Sequence, residues 1–152
     1  MDKVKERIKK HEGFRDTIYK DSLGFATIGY GHLVKESDSF EENVQYPQEM
    51  LESIFEDDYN IALDGANVLI ESNLGSHQYK ALPQKKKNII KGVIVEMVFQ
   101  LGVAGVGKFR NMFSNLDECN FEEASNEMQD SLWYEQTKSR CKKLSGIIKD
   151  LK

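Results

Sequence analysis

The sequence predicts an α+β fold that is mostly helical, in which a small antiparallel β-sheet lobe is joined by a long helix to a helical C-terminal lobe. Three observations support this class. A glycine-containing run of strand-favouring residues occupies 14–33, a long amphipathic pattern begins at Pro47, and apolar residues at helical spacing dominate after Tyr79. The 152 residues are enough for one domain with a substantial buried core.

The N-terminal segment predicts a short helix over residues 3–12. Val4, Ile8 and His11 recur at helical spacing, and Gly13 supplies a stop. The segment alternates charges and has no apolar run, so it does not resemble a signal peptide.

Residues 14–33 predict a small antiparallel sheet. Residues 14–20 and 25–32 are rich in strand-favouring side chains, and residues 21–24 (DSLG) form a turn signal between them. The glycines of the second run should bend it, and a third strand is expected near Leu33.

Residues 36–46 are expected to form a loop, after which Pro47 begins a long helix that continues to about Leu69. Apolar residues fall near one face of this helix. They are Met50, Leu51, Ile54, Phe55, Ile61 and Ala62.

The C-terminal half predicts a buried helix followed by shorter ones. Its apolar surface is too broad for an exposed helix, and comprises Ile89, Ile90, Val93, Ile94, Met97, Val98 and Leu101. Glycines from Gly102 onward should break it, and shorter helices are expected near 109–116, 121–130 and 138–150, the second with Asn120 as a possible cap.

We therefore expect one domain over 1–152. Its sheet-containing lobe spans about 13–58, and its helical lobe spans about 70–152 together with the helix at 1–12. A cleft between two such lobes would be the natural place for a substrate.

Charge and composition exclude several classes of protein. Residues 36–79 contain eleven acidic residues and no Lys or Arg, in a chain of net charge −4. No basic stripe with interleaved aromatics is present, which argues against nucleic-acid binding. No uninterrupted apolar stretch reaches the roughly 18 residues of a membrane span, so stable membrane insertion is not expected. Neither a metal site nor a cofactor is predicted, because no ligand cluster is evident.

Glu12, Asp21 and Thr27 are the candidates for chemistry. Glycoside hydrolysis needs a carboxylic acid that protonates the leaving oxygen and a carboxylate that activates water or forms a covalent intermediate. Glu12 ends the first predicted helix and Asp21 lies in the β-turn, so both could face one cleft. The hydroxyl of Thr27, on the next strand, could hold a water molecule.

The residues around these three resemble the phage-type lysozyme family, glycoside hydrolase family 24. The family pattern of Glu, eight residues, Asp or Cys, five residues and Thr is met by Glu12, Asp21 and Thr27. The resembling runs are HEGFR at 11–15, IYKD at 18–21, GFATIGYGH at 24–32, MVFQLG at 97–102 and WYEQT at 133–137.

The resemblance implies a lysozyme-like fold and a set of roles. Glu12 would be the general acid, Asp21 would place and deprotonate water or stabilise a sugar cation, and Thr27 would hydrogen-bond the attacking water, with net inversion. Further residues would have lesser roles: Leu33, Phe99 and Gln100 in substrate binding, and a His32–Asp58 pair and Arg140, beside Glu12, in support.

The implied substrate is bacterial peptidoglycan, cut at the β-1,4 bond between N-acetylmuramic acid and N-acetylglucosamine. The implied protein is a monomeric endolysin that accumulates in the host cytoplasm and reaches the wall through a membrane hole made by another protein. Many family members are net basic, whereas this chain is acidic. Two alternatives stay open: a lytic transglycosylase, which needs a single Glu, and a non-catalytic wall-binding protein of the same fold.

Overall fold

A computed structural model describes residues 2–151 and confirms the predicted α+β class. The protein is 68% helical and contains one small antiparallel sheet. In chain order the elements are α1 (Asp2–Glu12), β1 (Arg15–Lys20), β2 (Ala26–Gly29), β3 (His32–Leu33), a 3-10 helix η1 (Glu36–Asp38), α2 (Gln48–Asn73), α3 (His77–Lys80), α4 (Gln84–Gly107), α5 (Arg110–Asp117), α6 (Phe121–Gln129), α7 (Leu132–Gln136) and α8 (Lys138–Lys149).

The chain forms two compact units, which divide within α2 between Ile61 and Ala62. The first unit contains α1, the sheet and the first half of α2, and the second contains the remaining helices. The sequence grouped α1 with the helical lobe, whereas the structure groups it with the sheet. Within the first unit, ion pairs join lysines of α1 to glutamates in the first half of α2.

Helix α1 is amphipathic and ends abruptly before the sheet. Val4 and Ile8 are buried one turn apart, and basic residues occupy its last turn, where they complement the negative end of the helix dipole. Gly13 follows with φ of 71° and donates its N–H to the carbonyl of Lys9 at 2.9 Å. This left-handed glycine ends the helix directly after Glu12.

The predicted sheet has three strands in the order β1-β2-β3. Its antiparallel register places Tyr19 opposite Thr27 and Thr27 opposite Leu33. Gly29 and Gly31, with φ of 64° and 74°, flank Tyr30 and turn the chain from β2 into β3 within three residues. Only glycine adopts this conformation without steric cost, which explains the glycines in this run.

Helix α2 buries one continuous face at helical spacing. Its buried residues are Leu51, Phe55, Tyr59, Ala62, Ala66 and Leu69. Met50 and Ile61, which the sequence placed on the same face, are 42% and 67% exposed, because each lies off the stripe that the buried residues define. The helix also runs past Leu69 to Asn73, whose side-chain amide donates to the carbonyl of Leu69 at 2.8 Å.

Helix α4 is the core helix that the sequence predicted. Its residues from Gly92 to Val98 are buried, and Gly102, with φ of 79° and ψ of 159°, interrupts the helical geometry where a break was expected. By length and mean hydropathy (1.8) α4 could also span a membrane, but half of the apolar window is buried inside the protein, as in the core helix of a globular domain.

The shorter helices pack around α6, which contacts α5, α7 and α8. Helix α7 was not predicted as a separate element. Ser131 directly precedes it, and the Ser131 hydroxyl accepts the N–H of Tyr134 and so caps the helix. Asn120 does precede α6, but its side chain makes no capping bond, because its ψ of 77° departs from the extended geometry that a cap requires.

Candidate active site

Glu12 lies against the turn between β2 and β3. A Cβ atom built on Gly31 would come within 2.5 Å of Glu12 Oε1 and 2.8 Å of its carboxyl carbon. The Glu12 carboxyl group therefore occupies the space that any side chain at position 31 would need. The glycine allows the end of α1 and this turn to meet, and the half-buried Glu12 carboxyl group sits at their junction.

Asp21 organises the turn between β1 and β2 with one of its two carboxylate oxygens. Its Oδ1 accepts the backbone N–H groups of Leu23 and Phe25, both at 2.9 Å. Its own N–H donates to the carbonyl of Phe25 at 2.9 Å. The turn thereby fixes the carboxylate, and Oδ2 makes no hydrogen bond within the described residues, which leaves it available to a water molecule.

Thr27 is 2% exposed and occupies the middle strand of the sheet. Its hydroxyl donates a hydrogen bond to the carbonyl of Phe25 at 2.9 Å. Because the single hydroxyl proton is used in this bond, Thr27 can only accept a hydrogen bond from a water molecule. Phe25 links the two candidates, since its N–H binds Asp21 and its carbonyl binds Thr27.

Tyr19, on β1, was not singled out from the sequence. Burial raises the pKa of its hydroxyl, and the negative charges of Glu12 and Asp21 raise it further, while the cation of Arg15 opposes them. Both candidate carboxylates thus lie within electrostatic reach of one phenol. The sequence signal that could have identified Tyr19 is its place two residues before Asp21.

His32 lies between two carboxylates. Its Nδ1 is 2.6 Å from Asp58 on α2, the contact expected from the sequence, and its Nε2 is 2.9 Å from Asp38 in η1. The bond to Asp58 raises the pKa of His32, burial opposes this, and Asp38 raises it again. Burial also raises the pKa of Asp38, but the Lys35 N–H and His32 outweigh this effect and lower it.

The three expected substrate-binding residues lie in different settings. Leu33, on β3, is 50% exposed, and Phe99 is half-buried on α4. The side-chain amide of Gln100 makes two hydrogen bonds within the helical unit. Its oxygen accepts the indole N–H of Trp133 at 2.9 Å, and its nitrogen donates to the hydroxyl of Thr137 at 3.2 Å.

Arg140, expected beside Glu12, forms a buried ion pair with Glu96 in the helical unit. The distance from Nε to Glu96 Oε2 is 2.8 Å, and the two side chains are 8% and 0% exposed. The pairing of Arg140 with Glu12 stays a prediction. Glu96 was missed from the sequence, although a glutamate inside an apolar run needs a buried cationic partner, and this signal was available.

The helical unit also contains a cavity of about 440 Å³ beside α5 and α7. Phe109 and Trp133 supply apolar walls, and Lys108, Arg110 and Glu127 supply charged ones. Within residues 2–151, no three His, Cys, Asp or Glu side chains are arranged to hold a metal ion.

Comparison with known proteins identifies the family. The model of the phage lysozyme family matches residues 9–149, a range that includes all three candidates for chemistry. Because this match covers nearly the whole chain, the protein is by class a glycoside hydrolase. It belongs to the phage lysozyme family.

Three curated relatives are similar over almost all of this chain. Probable T4-type lysozyme 1 of Dictyostelium discoideum is 34% identical, with 95% of this chain and 92% of the relative covered. Probable T4-type lysozyme 2 of the same organism is 27% identical at the same coverage. The pre-baseplate central spike protein Gp5 of Enterobacteria phage T4 is 30% identical over 94% of this chain, which spans only 27% of that relative.

Proposed function

We propose that the protein hydrolyses the β-1,4 bond between N-acetylmuramic acid and N-acetylglucosamine in bacterial peptidoglycan. The observation that carries the proposal is the first unit's arrangement of Glu12 against Gly31, with Asp21 and Thr27 joined through Phe25. Glu12, Asp21 and Thr27 also have the spacing on which the sequence resemblance to the family rests, and they lie within the range that the family model matches. Peptidoglycan as substrate follows from lysozyme activity in general.

In the proposed reaction, Glu12 in its acid form protonates the glycosidic oxygen, and the bond from that oxygen to the anomeric carbon breaks. A water molecule attacks the same carbon from the opposite face, forms the new C–O bond and loses a proton to Asp21. Thr27 accepts a hydrogen bond from the water through its oxygen. Because one proton of the water points at Asp21 and the other at Thr27, a lone pair of its oxygen faces the anomeric carbon.

This assignment predicts the chemical form and the stereochemistry of the products. Purified peptidoglycan should yield fragments with free reducing ends, detected by mass spectrometry, and proton NMR of fresh product should show the inverted anomer. Fragments lighter by one water, with an anhydro ring, would indicate the transglycosylase instead. Absence of any cleavage would favour a non-catalytic wall-binding protein.

We further propose that the enzyme serves in lysis of a bacterial host. It would accumulate in the host cytoplasm and reach the wall through a membrane hole made by another protein. The support is membership of the phage lysozyme family. Expression in a bacterium should leave cells intact until the inner membrane is permeabilised. Lysis without permeabilisation would contradict this route.

A further inference from the structure

Glu52, in the first half of α2, binds two side chains with its two carboxylate oxygens. Its Oε2 is 2.7 Å from Nζ of Lys9, and its Oε1 accepts the hydroxyl of Tyr30 at 2.8 Å. The ion pair is partly shielded, since the Lys9 and Glu52 side chains are 30% and 34% exposed. Bonds to Lys9 and then to Tyr30 lower the pKa of Glu52, with burial opposing them, so the carboxylate form is favoured.

The two partners of Glu52 belong to the two chain segments that meet at Glu12. Lys9 is on α1, three residues before Glu12. Tyr30 directly precedes Gly31, the residue against which the Glu12 carboxyl group lies. Glu52 therefore bonds both to the helix that carries Glu12 and to the turn that Glu12 contacts.

Aromatic contacts restrict the same partners. The Lys9 ammonium lies 4.9 Å from the ring centroids of both Tyr30 and Phe55. The Tyr30 ring packs edge-on to Phe55 at 5.4 Å and contacts Phe14 at 5.0 Å. Cation–π attraction and ring packing thus leave Tyr30 and Lys9 little freedom to follow a displaced carboxylate.

A second ion pair, one turn away, provides the comparison. Lys5 on α1 lies 2.8 Å from Glu56 on α2, and its ammonium is 5.0 Å from the ring centroid of Tyr59. This pair connects α1 to α2 as Lys9–Glu52 does, but among the described residues Glu56 does not bond to the turn at Tyr30. Both Glu52 and Glu56 attach α2 to α1. Of the two, Glu52 also bonds to the turn at Tyr30.

We propose that Glu52 is a positioning residue for hydrolysis, which holds α1 and the turn from Tyr30 to Gly31 in the register that places the Glu12 carboxyl group. The proposal rests on the proposed function, in which Glu12 is the acid. Glu52 acts through Lys9 and Tyr30 and does not touch the substrate. A carboxylate is needed at position 52 because its two oxygens can accept from both Lys9 and Tyr30. A glutamine at this position would offer one acceptor oxygen and would present its NH₂ group to the second donor.

The test compares Glu52→Gln with Glu56→Gln, each of which removes one α1–α2 ion pair. kcat and KM are measured on soluble peptidoglycan strands, well below the Tm of each variant. We expect Glu52→Gln to lower kcat about 10-fold with KM changed less than about two-fold, because an acid displaced by a fraction of an ångström loses rate more than binding. Glu56→Gln should retain both values.

Two further variants make the outcomes distinguishable. Tyr30→Phe keeps the Lys9–Glu52 pair and removes the hydroxyl that bonds to Glu52 and to Gln48. It should also lower kcat selectively, and it tests the proposal if Glu52→Gln fails to fold. Equal kcat values for folded Glu52→Gln and Glu56→Gln, with Glu12→Gln inactive, would overturn the positioning role and leave the proposed function intact. Wild-type activity in Glu12→Gln would overturn both.

Discussion

Gly31 affects both the backbone conformation of its turn and the position of the proposed acid, Glu12. Its φ of 74° already favours glycine, and the Glu12 carboxyl group fills the place of a side chain. Left-handed geometry alone costs a non-glycine residue about 1–2 kcal/mol. A clash with Glu12 adds a second and separate effect, because it displaces the proposed acid.

The substitution Gly31→Ala should therefore reduce activity more than stability explains. We expect kcat to fall about 10-fold or more, since displacement of a catalytic group by about 1 Å can cost two orders of magnitude. The matched control is Gly102→Ala, because Gly102 has a φ of 79° and open space where a Cβ atom would lie. Similar losses of thermal stability with equal kcat in the two variants would contradict the assignment.

At the scale of residues, the sequence identified candidate site residues more readily than the side chains that they contact. Glu12, Asp21 and Thr27 were found because their spacing is local, within sixteen residues of chain. The ion pair between Arg140 and Glu96 was not predicted, since Glu96 lies 44 positions away and the packing of α4 against α8 brings the two together. Gln100 was identified by motif, but its bonds to Trp133 and Thr137 depend on the same kind of tertiary packing.

At the scale of elements, His32 connects three of them. It lies on β3 and contacts Asp58 of α2 and Asp38 of η1. A neutral imidazole has a single N–H, so only the imidazolium can donate to both carboxylates. The protonated ring therefore stabilises the connection of β3 to both helices.

The stability contribution of this contact should depend on pH. Because the folded state raises the pKa of His32 above its ordinary 6.5, the contribution is fully present below pH 6.5 and is lost as pH rises through the folded-state pKa. Asp58→Asn should lower the free energy of unfolding at pH 5.5 by about 1–3 kcal/mol, and by less at pH 9. Urea unfolding at pH 5.5 and at pH 9 measures the free energy of unfolding of the wild type and of the variant.

Asp57→Asn is the control for that experiment, since Asp57 is the exposed neighbour on the same helix. It changes the same charge without touching His32. The account would be contradicted if Asp58→Asn destabilised the protein equally at both pH values, or no more than Asp57→Asn did at pH 5.5.

Element types were predictable where the pattern was long and periodic. The α1 helix, the three strands and the core helix α4 follow from apolar spacing and glycines, and Gly102 interrupts α4 as expected. Two short helices were not predicted. Helix α7 has five residues and η1 has three, too few for a period, and both depend on side-chain bonds to the backbone.

At the scale of the whole molecule, net charge is the property that governs the approach to a charged substrate. The net charge is −4, and residues 36–79 contain eleven acidic residues and no Lys or Arg. The structure shows that part of this charge is used internally, because Glu52 and Glu56 pair with lysines, and Asp38 and Asp58 flank His32. These ion pairs leave the net charge at −4, since the count already includes the lysines, and this net negative charge should repel an anionic cell wall.

Added salt should therefore increase the rate of wall digestion up to physiological ionic strength. Screening shortens the Debye length from about 30 Å at 0.01 M to about 8 Å at 0.15 M, which weakens long-range repulsion. Turbidity loss of purified, anionic cell walls measures the effect, and the same walls with their free carboxyl groups amidated provide the control substrate. A rate on walls that falls steadily with salt would show that electrostatic attraction governs capture.

The most direct test of the central claim is the activity of Glu12→Gln on purified peptidoglycan. Glutamine keeps the shape of the side chain against Gly31 but cannot donate the proton. Glu71→Gln, an exposed position on α2, is the matched control. The account predicts release of reducing ends by the wild type and by Glu71→Gln, and a loss of at least about 100-fold in Glu12→Gln. Wild-type activity in a folded Glu12→Gln variant would contradict it.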